Sequence, residues 1–241
     1  MTTALHVFLA PRLGDAVLAC GGTMAYLTRR GADVYVAVPF IPNHASPESP
    51  EIRETRNAWE LLHVKGWLGL YPIAEERQHP LEKRNLYTHR RALYGLPDPS
   101  EGDLPHRLAG EITTLFFTRP TFIYAPLALN RHVDHIHLAS AGHVLAREGY
   151  RVLWYEEYPR VVMPDTLRTL KRRGWHPLLI PLHSADTAAK IQAVHHLHSR
   201  IPHIFGHPRE IARRIVDDLW TLSGQGYMAE RFWERVRGGA L

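Results

Sequence analysis

Short apolar runs and helical periodicities take turns along the chain. Leu5 to Leu9 reads as a strand, Ala16 to Thr28 as a helix closed by Arg29, Arg30 and Gly31, and Val34 to Val38 as a second strand. A stretch rich in Pro, Asn and Ser from Pro39 to Pro50 reads as a loop, Glu51 to Leu62 as a helix and Trp67 to Leu70 as a strand. Ala74 to Gly102 is polar and rich in turn residues, a long irregular segment of the kind that often carries function. Pro105 to Phe117 then predicts a helix, Phe122 to Ala125 a strand, His135 to Arg147 a helix and Val152 to Tyr155 a strand. Further on, Asp165 to Arg173, Thr187 to His198 and Arg209 to Leu222 read as helices and Leu178 to Leu182 as a strand.

Strands alternating with helices at this spacing predict an α/β fold with a mainly parallel sheet and helices on both faces. No internal repeat, low-complexity tract or linker interrupts residues 1–241, so one domain is expected. In such a sheet, ligands bind beyond the carboxyl ends of the strands. Two loops there stand out, Ala10 to Asp15 after the first strand and Pro126 to His135 after the Phe122 strand, and both should open into one crevice.

Composition narrows the chemistry. The chain has 241 residues, 45% of them hydrophobic and 22% charged, the balance of a globular protein. No apolar run approaches the roughly 20 residues of a membrane helix, and the first residues lack a basic region followed by an apolar core, so no membrane span and a cytoplasmic location are expected. Its 29 basic and 24 acidic residues give a net charge of +5, but the basic pairs are scattered and no nucleic-acid motif joins them; no nucleic-acid partner is expected. The single cysteine, Cys20, excludes an internal disulfide and a cysteine-built zinc cluster. A metal would have to sit on His, Asp or Glu.

His132, Asp134 and His135 place two imidazoles and a carboxylate within four residues at a helix start. Imidazole ligates zinc, and a neighbouring carboxylate can orient it. The plainer alternative is that Asp134 caps a helix from Ile136 and Asp15 caps the one from Ala16. His195, His196, His198, His203 and His207 span a helix and its following turn and read as an exposed polar face. Gly21 and Gly22 cost a helix about 1 kcal/mol each relative to Ala, which implies close packing there.

The segment Phe8-Leu-Ala-Pro-Arg-Leu-Gly-Asp-Ala-Val-Leu-Ala-Cys-Gly-Gly-Thr23 resembles the opening motif of the PIG-L/LmbE family of zinc-dependent N-deacetylases, usually Pro-His-x-Asp-Asp followed by a Gly-Gly helix. His132-Val133-Asp134-His135 resembles that family's second motif, His-x-Asp-His. Glu54 with Ala58, Trp154 to Pro159, Lys190 to Ser199 and Glu230 to Trp233 follow in the family's order, so the resemblance spans nearly the whole chain. It implies a Rossmann-like three-layer fold and hydrolysis of an acetamide on a glucosamine-type substrate. It also implies zinc held by the first-motif His, the second Asp of that motif and the last His of the second motif. The first Asp would be the general base, and the first His of the second motif, oriented by the Asp beside it, would protonate or stabilise the tetrahedral intermediate.

Carried over by position, Asp15 and His135 remain as metal ligands and His132 with Asp134 as the acid pair, but the third ligand position is Arg12 and the base position is Gly14. The glycines that precede the family's second motif are replaced by Ala128 and Asn130. Arginine has no free lone pair, and its charge opposes a metal: two unit charges ~4 Å apart interact by roughly 4 kcal/mol at an effective dielectric near 20. The expectation is therefore a weakened or lost hydrolase, with zinc weak or absent, that keeps a crevice for a small polar or sugar-like ligand lined by Arg12, Asn130, Tyr158 and Arg160. Arg12 is expected to approach Asp15 in place of the metal. Two alternatives stay open. One is an active hydrolase with zinc on Asp15, His135 and a substitute such as His132, His44 or His89; the other is an interaction or regulatory module partnering an active relative, or a homo-oligomer.

Overall fold

The structure is a computed structural model that describes residues 3–116, 118–160 and 164–235. The elements run β1 (Leu5–Leu9), α1 (Asp15–Arg29), β2 (Asp33–Ile41), α2 (Pro50–Leu61), β3 (Lys65–Pro72), the short α3 (Arg90–Leu93), α4 (Leu104–Thr114), β4 (Phe122–Pro126), α5 (Val133–Arg147) and β5 (Val152–Tyr155). They continue with α6 (Pro164–Arg172), β6 (Trp175–Pro181), α7 (Ser184–His195), the short α8 (Ile201–Ile204), α9 (Ile211–Ser223) and β7 (Ala229–Arg235). The expected helix end at Phe117 lies outside the described residues; the helix ends at Thr114.

The seven strands form one sheet in the order β3-β2-β1-β4-β5-β7-β6. β3, β2, β1, β4 and β5 are parallel, and β7 pairs antiparallel with both β5 and β6. The chain leaves β1 toward β2 and β3 and returns on its other side with β4, so the order reverses between β1 and β4. A reversal of this kind opens a crevice at the carboxyl ends of the two strands.

Strand periodicity sets the two layers beside the sheet. Phe8, Val36, Tyr124 and Leu153 face Leu18, Trp59, Val194 and Ile215 of α1, α2, α7 and α9. Val7, Leu9, Ile123 and Trp154 face Leu108 and Ile112 of α4 and Leu138 and Leu145 of α5. Successive side chains of a strand point to opposite faces, so runs such as Leu5 to Leu9, buried throughout, mark strands covered on both sides. The mainly parallel three-layer α/β expectation holds. Among the described residues, no helix is long and apolar enough to cross a membrane.

Two departures from the sequence reading have local causes. β2 continues through Pro39 to Ile41 where a loop was expected; Pro39 lies at a register shift between Val38 and Phe40, a place where a missing N–H is tolerated. β7 was not read as a strand because charged residues interrupt its pattern. Glu230 in it is nonetheless buried: its carboxylate receives Lys190 Nζ at 2.7 Å and the Gly22 and Thr23 N–H groups at 3.0 and 2.8 Å. The Gly21-Gly22 pair makes this approach possible, since a Cβ on Gly22 would stand 2.4 Å from Leu182 Cδ1 and 3.1 Å from Glu230 Oε1.

Candidate functional site

The loops after β1, β3, β4 and β5 meet at the crevice. The loop after β1 turns through Gly14, whose φ of 81° is a left-handed conformation that favours glycine, and α1 starts at Asp15. Asp15 Oδ2 accepts the Arg12 N–H at 3.1 Å, so the carboxylate closes its own turn from inside the helix; Gly14, not Asp15 as expected, holds the cap position. On the other side, His132 caps α5, its Nδ1 accepting the Asp134 N–H at 3.2 Å. Asp134 is not the cap.

The Arg12 guanidinium turns away from Asp15. Its Nη2 donates to Glu75 Oε2 and Oε1 at 2.5 and 2.7 Å, lies 3.1 Å from His132 Nε2 and reaches Asp134 Oδ2 at 3.5 Å. The expected Arg12–Asp15 ion pair is thus replaced by a contact with Glu75 and Asp134, because Asp15 already has a cation: Arg200 Nη2 donates to its Oδ1 at 2.8 Å. Asp134 is fully buried and held from a third side by Arg77 Nη1 at 2.5 Å, and Arg77 in turn pairs with Glu101 at 2.6 Å.

His135 faces the other half of the site. Its Nε2 lies 3.5 Å from Asp15 Oδ2, while its Nδ1 lies 3.2 Å from Glu157 Oε1 and 3.3 Å from Asn130 Nδ2. Asn130 also accepts the His132 N–H at 3.0 Å and so ties the two halves together. Tyr94, from the irregular segment, sets its ring edge-on to His132 with 5.2 Å between centroids. A cavity of about 180 Å³ opens beside Arg12, with Leu13, Phe40, Ile73, Leu197 and Arg200 among its walls.

Electrostatics sort these groups. Burial, and then the charge of Arg12, lowers the His132 pKa to about 4, so its ring is neutral near pH 7, with one N–H and no imidazolium charge. Burial pushes Glu75 upward, but the hydrogen bonds and charge of Arg12 outweigh it and leave the carboxyl below its ordinary range.

The fit to a metal can be read from the donors. Two ligands of a tetrahedral zinc at ~2.0–2.1 Å stand about 3.4 Å apart, and the separation of Asp15 and His135 matches that edge. Position 12 does not supply the third corner, since arginine cannot ligate, and Gly14 has no side chain to act as base. Among the described residues, Glu75, His132 and Asp134 have potential ligand atoms within 4.8 Å of one another, and Arg12 Nη2 already contacts all three. The residues present do not form the three-ligand set that the resemblance implies. Of the suggested substitutes, His132 lies in the site, its ring centroid 5.6 Å from that of His135 and its Nε2 3.1 Å from Arg12 Nη2, whereas His44 is 80% exposed and pairs with Glu76, and His89 is exposed and caps α3.

Tyr158 stacks on Phe205 at 5.6 Å, and Arg160 is engaged with Asp218 at 2.9 Å and Glu156 at 3.4 Å, so the Arg160 guanidinium is committed within the fold. His195, His198, His203 and His207 are exposed and His196 half-buried. Sequence reasoning did not single out Glu75, Arg77, Tyr94 or Arg200. Glu75 follows the carboxyl end of β3, a position that could have marked it; Arg200 carried no signal.

No protein-family model matches the chain. It is similar to 2'-N-acetylparomamine deacetylase of Niallia circulans, 24% identical over 261 aligned positions that cover 94% of this chain and 89% of that protein. Among solved structures, it superimposes on the zinc-inhibited form of a teicoplanin deacetylase with a TM-score of 0.77, at 20% identity, covering 98% of this chain and all of that one. N,N'-diacetylchitobiose deacetylase of Pyrococcus horikoshii aligns with a TM-score of 0.55 at 17% identity, over 95% of this chain and 82% of that one. The resemblance to PIG-L/LmbE-type deacetylases therefore extends from the two motifs to the fold.

Proposed function

We propose that the crevice between the β1 and β4 loops binds a small polar, amino-sugar-like ligand, and that hydrolysis of an acetamide by a zinc-bound water has been lost or strongly weakened. The observation that carries this reading is the Arg12 guanidinium, which lies among Glu75, His132 and Asp134 at the edge of the cavity. A guanidinium supplies positive charge and directional N–H donors, suited to hydroxyl and carbonyl oxygens, but it does not generate a nucleophile from water. The similarity to 2'-N-acetylparomamine, teicoplanin and N,N'-diacetylchitobiose deacetylases supports the ligand class. The side-chain-free Gly14 supports the loss of the base, and the neutral His132 offers a single N–H in place of an imidazolium.

Metal analysis of protein purified without chelator or added zinc tests this, together with acetate release from N-acetylglucosamine conjugates. The expected result is well under about one zinc per chain and no acetate above background. The separation of Asp15 and His135 favours the second reading, an active hydrolase with a metal on that pair. Zinc near one per chain, with acetate release abolished by His135→Ala, would establish that reading and overturn the first.

A further inference from the structure

A second concave surface lies at the opposite end of the sheet, beside the amino ends of the parallel strands. Trp154 pairs with Trp233 in antiparallel register, which brings Arg235 level with Val152 at the start of β5. Across the next ladder Trp175, the first residue of β6, faces Arg235. The Arg173-Gly174 turn, the last turn of α5 with Arg147, and Arg151 before β5 complete an open groove of about 940 Å³, with His143 and Trp154 in its wall.

The groove is lined by the guanidinium-bearing residues Arg147, Arg151, Arg173 and Arg235 and by one carboxylate residue, Glu234. None of these four arginines forms an ion pair among the described residues. A basic residue in the last turn of a helix offsets the helix dipole, which accounts for Arg147 at the end of α5. It does not account for Arg151 and Arg235, which stand at strand ends.

Aromatic faces support two cations on the same side of the molecule. Arg151 lies 4.4 Å over Phe122, and Arg119, beside Gly149, lies 4.0 Å over Tyr150. Stacking uses the face of a guanidinium rather than its N–H edge; Arg119 Nη2 donates to the Glu148 carbonyl at 3.2 Å. Burial, and then the charges of Arg235 and Arg147, lower the His143 pKa, so these two cations act on one wall of the groove. Like charges lining one groove repel one another, and an anion bound among them offsets that repulsion.

We propose that this groove binds a small molecule bearing a pyrophosphate group. The site is separate from the Arg12 crevice and does not depend on the reading given to it. Planar guanidinium forks match phosphate oxygens bidentately, and several of them suit a ligand with more than one negative charge. The volume lies within the range of small-molecule sites. A free polyphosphate and a nucleoside polyphosphate share this chemistry.

Calorimetric titration of the full chain with inorganic pyrophosphate and, separately, with ATP tests the proposal. Wild-type protein should bind pyrophosphate, more weakly as salt rises. An Arg151→Gln, Arg235→Gln double variant should lose about tenfold or more in affinity, whereas an Arg56→Gln, Arg209→Gln variant, which removes the same charge from exposed positions elsewhere, should stay within about twofold. Tighter binding of ATP would make a nucleotide the source; equal affinity would make the polyphosphate group alone sufficient. Thermal unfolding of each variant checks the fold, and Arg173→Gln serves if the double variant does not fold. No pyrophosphate binding at millimolar concentration, or an equal loss in the two double variants, would overturn the proposal.

Discussion

A guanidinium and a divalent metal both bring positive charge to carboxylates, but they differ in reach and geometry. A zinc ion draws its ligands to ~2.0–2.1 Å around a point, whereas Arg12 spreads its contacts at 2.5 to 3.5 Å over Glu75, His132 and Asp134. The Arg12–Glu75 pair holds the Glu75 pKa below its ordinary value, so its contribution to stability is present above the ordinary glutamate range and is lost as pH falls through the lowered value. Replacing the cation with a ligand should reopen the metal position. Arg12→His is expected to raise zinc affinity about tenfold or more, read by zinc titration against wild type. Gly14→Asp, needed in addition for any acetate release, meets resistance: its Cβ would stand 3.0 Å from Leu197 Cδ1 on a residue with φ of 81°, at a cost of about 1 kcal/mol. If a folded Arg12→His protein binds zinc no better than wild type, Asp15 and His135 are not ligand positions.

Among the elements, α1 depends on partners distant in sequence. Its residues from Asp15 to Ala25 are all buried, and Lys190 of α7 bridges it to β7 by donating to the Ala19 carbonyl at 3.2 Å and to Glu230 at 2.7 Å. Both charged side chains are almost wholly buried. Removing one member of such a pair leaves a charge without water or counterion, a loss of about 3–5 kcal/mol. Lys190→Met should therefore lower unfolding stability by about that amount in urea titration, and adding Glu230→Gln should recover part of it. Equal stability for the single variant and wild type would mean that the pair relaxes to solvent. Because α1 begins with the Arg12–Asp15 turn, the same pair helps to set the angle at which that loop enters the crevice.

For the molecule as a whole, the buried histidines make stability depend on pH in a definite direction. His6, stacked on Phe122 with its Nδ1 2.9 Å from Tyr124 Oη, has its pKa lowered to about 4 by burial, as has His132 by burial and then Arg12. Between an unfolded value of about 6.5 and the folded value of about 4, the unfolded chain takes up protons that the native one refuses. Stability then falls as pH falls, by up to about 1.4 kcal/mol per pH unit for each group, and above pH ~7 neither contributes. Thermal unfolding from pH 7 to pH 4 should show this slope, and His6→Gln should flatten it. An unchanged slope in that variant would show that His6 titrates normally in the native state.

Most strands and helices, the mainly parallel sheet and the two loops at the crevice were legible in the amino-acid pattern, because buried strands and amphipathic helices are recorded in local periodicity. So was the presence of Arg12 and Gly14 where the motif of the resemblance has His and Asp. β7 was not legible, since the buried Glu230 looks polar until Lys190 and the Gly22 and Thr23 N–H groups reach it from other elements. Nor was the partner of Arg12: its distance in sequence to Glu75 is 63 residues, and Asp15, only three away, was the nearer candidate. The fold settled that choice by bringing Arg200 to Asp15 across 185 residues and leaving Arg12 to the carboxylates on its other side. Local sequence determines which groups a loop offers; which of them meet is decided by the three-dimensional packing of elements that periodicity does not order.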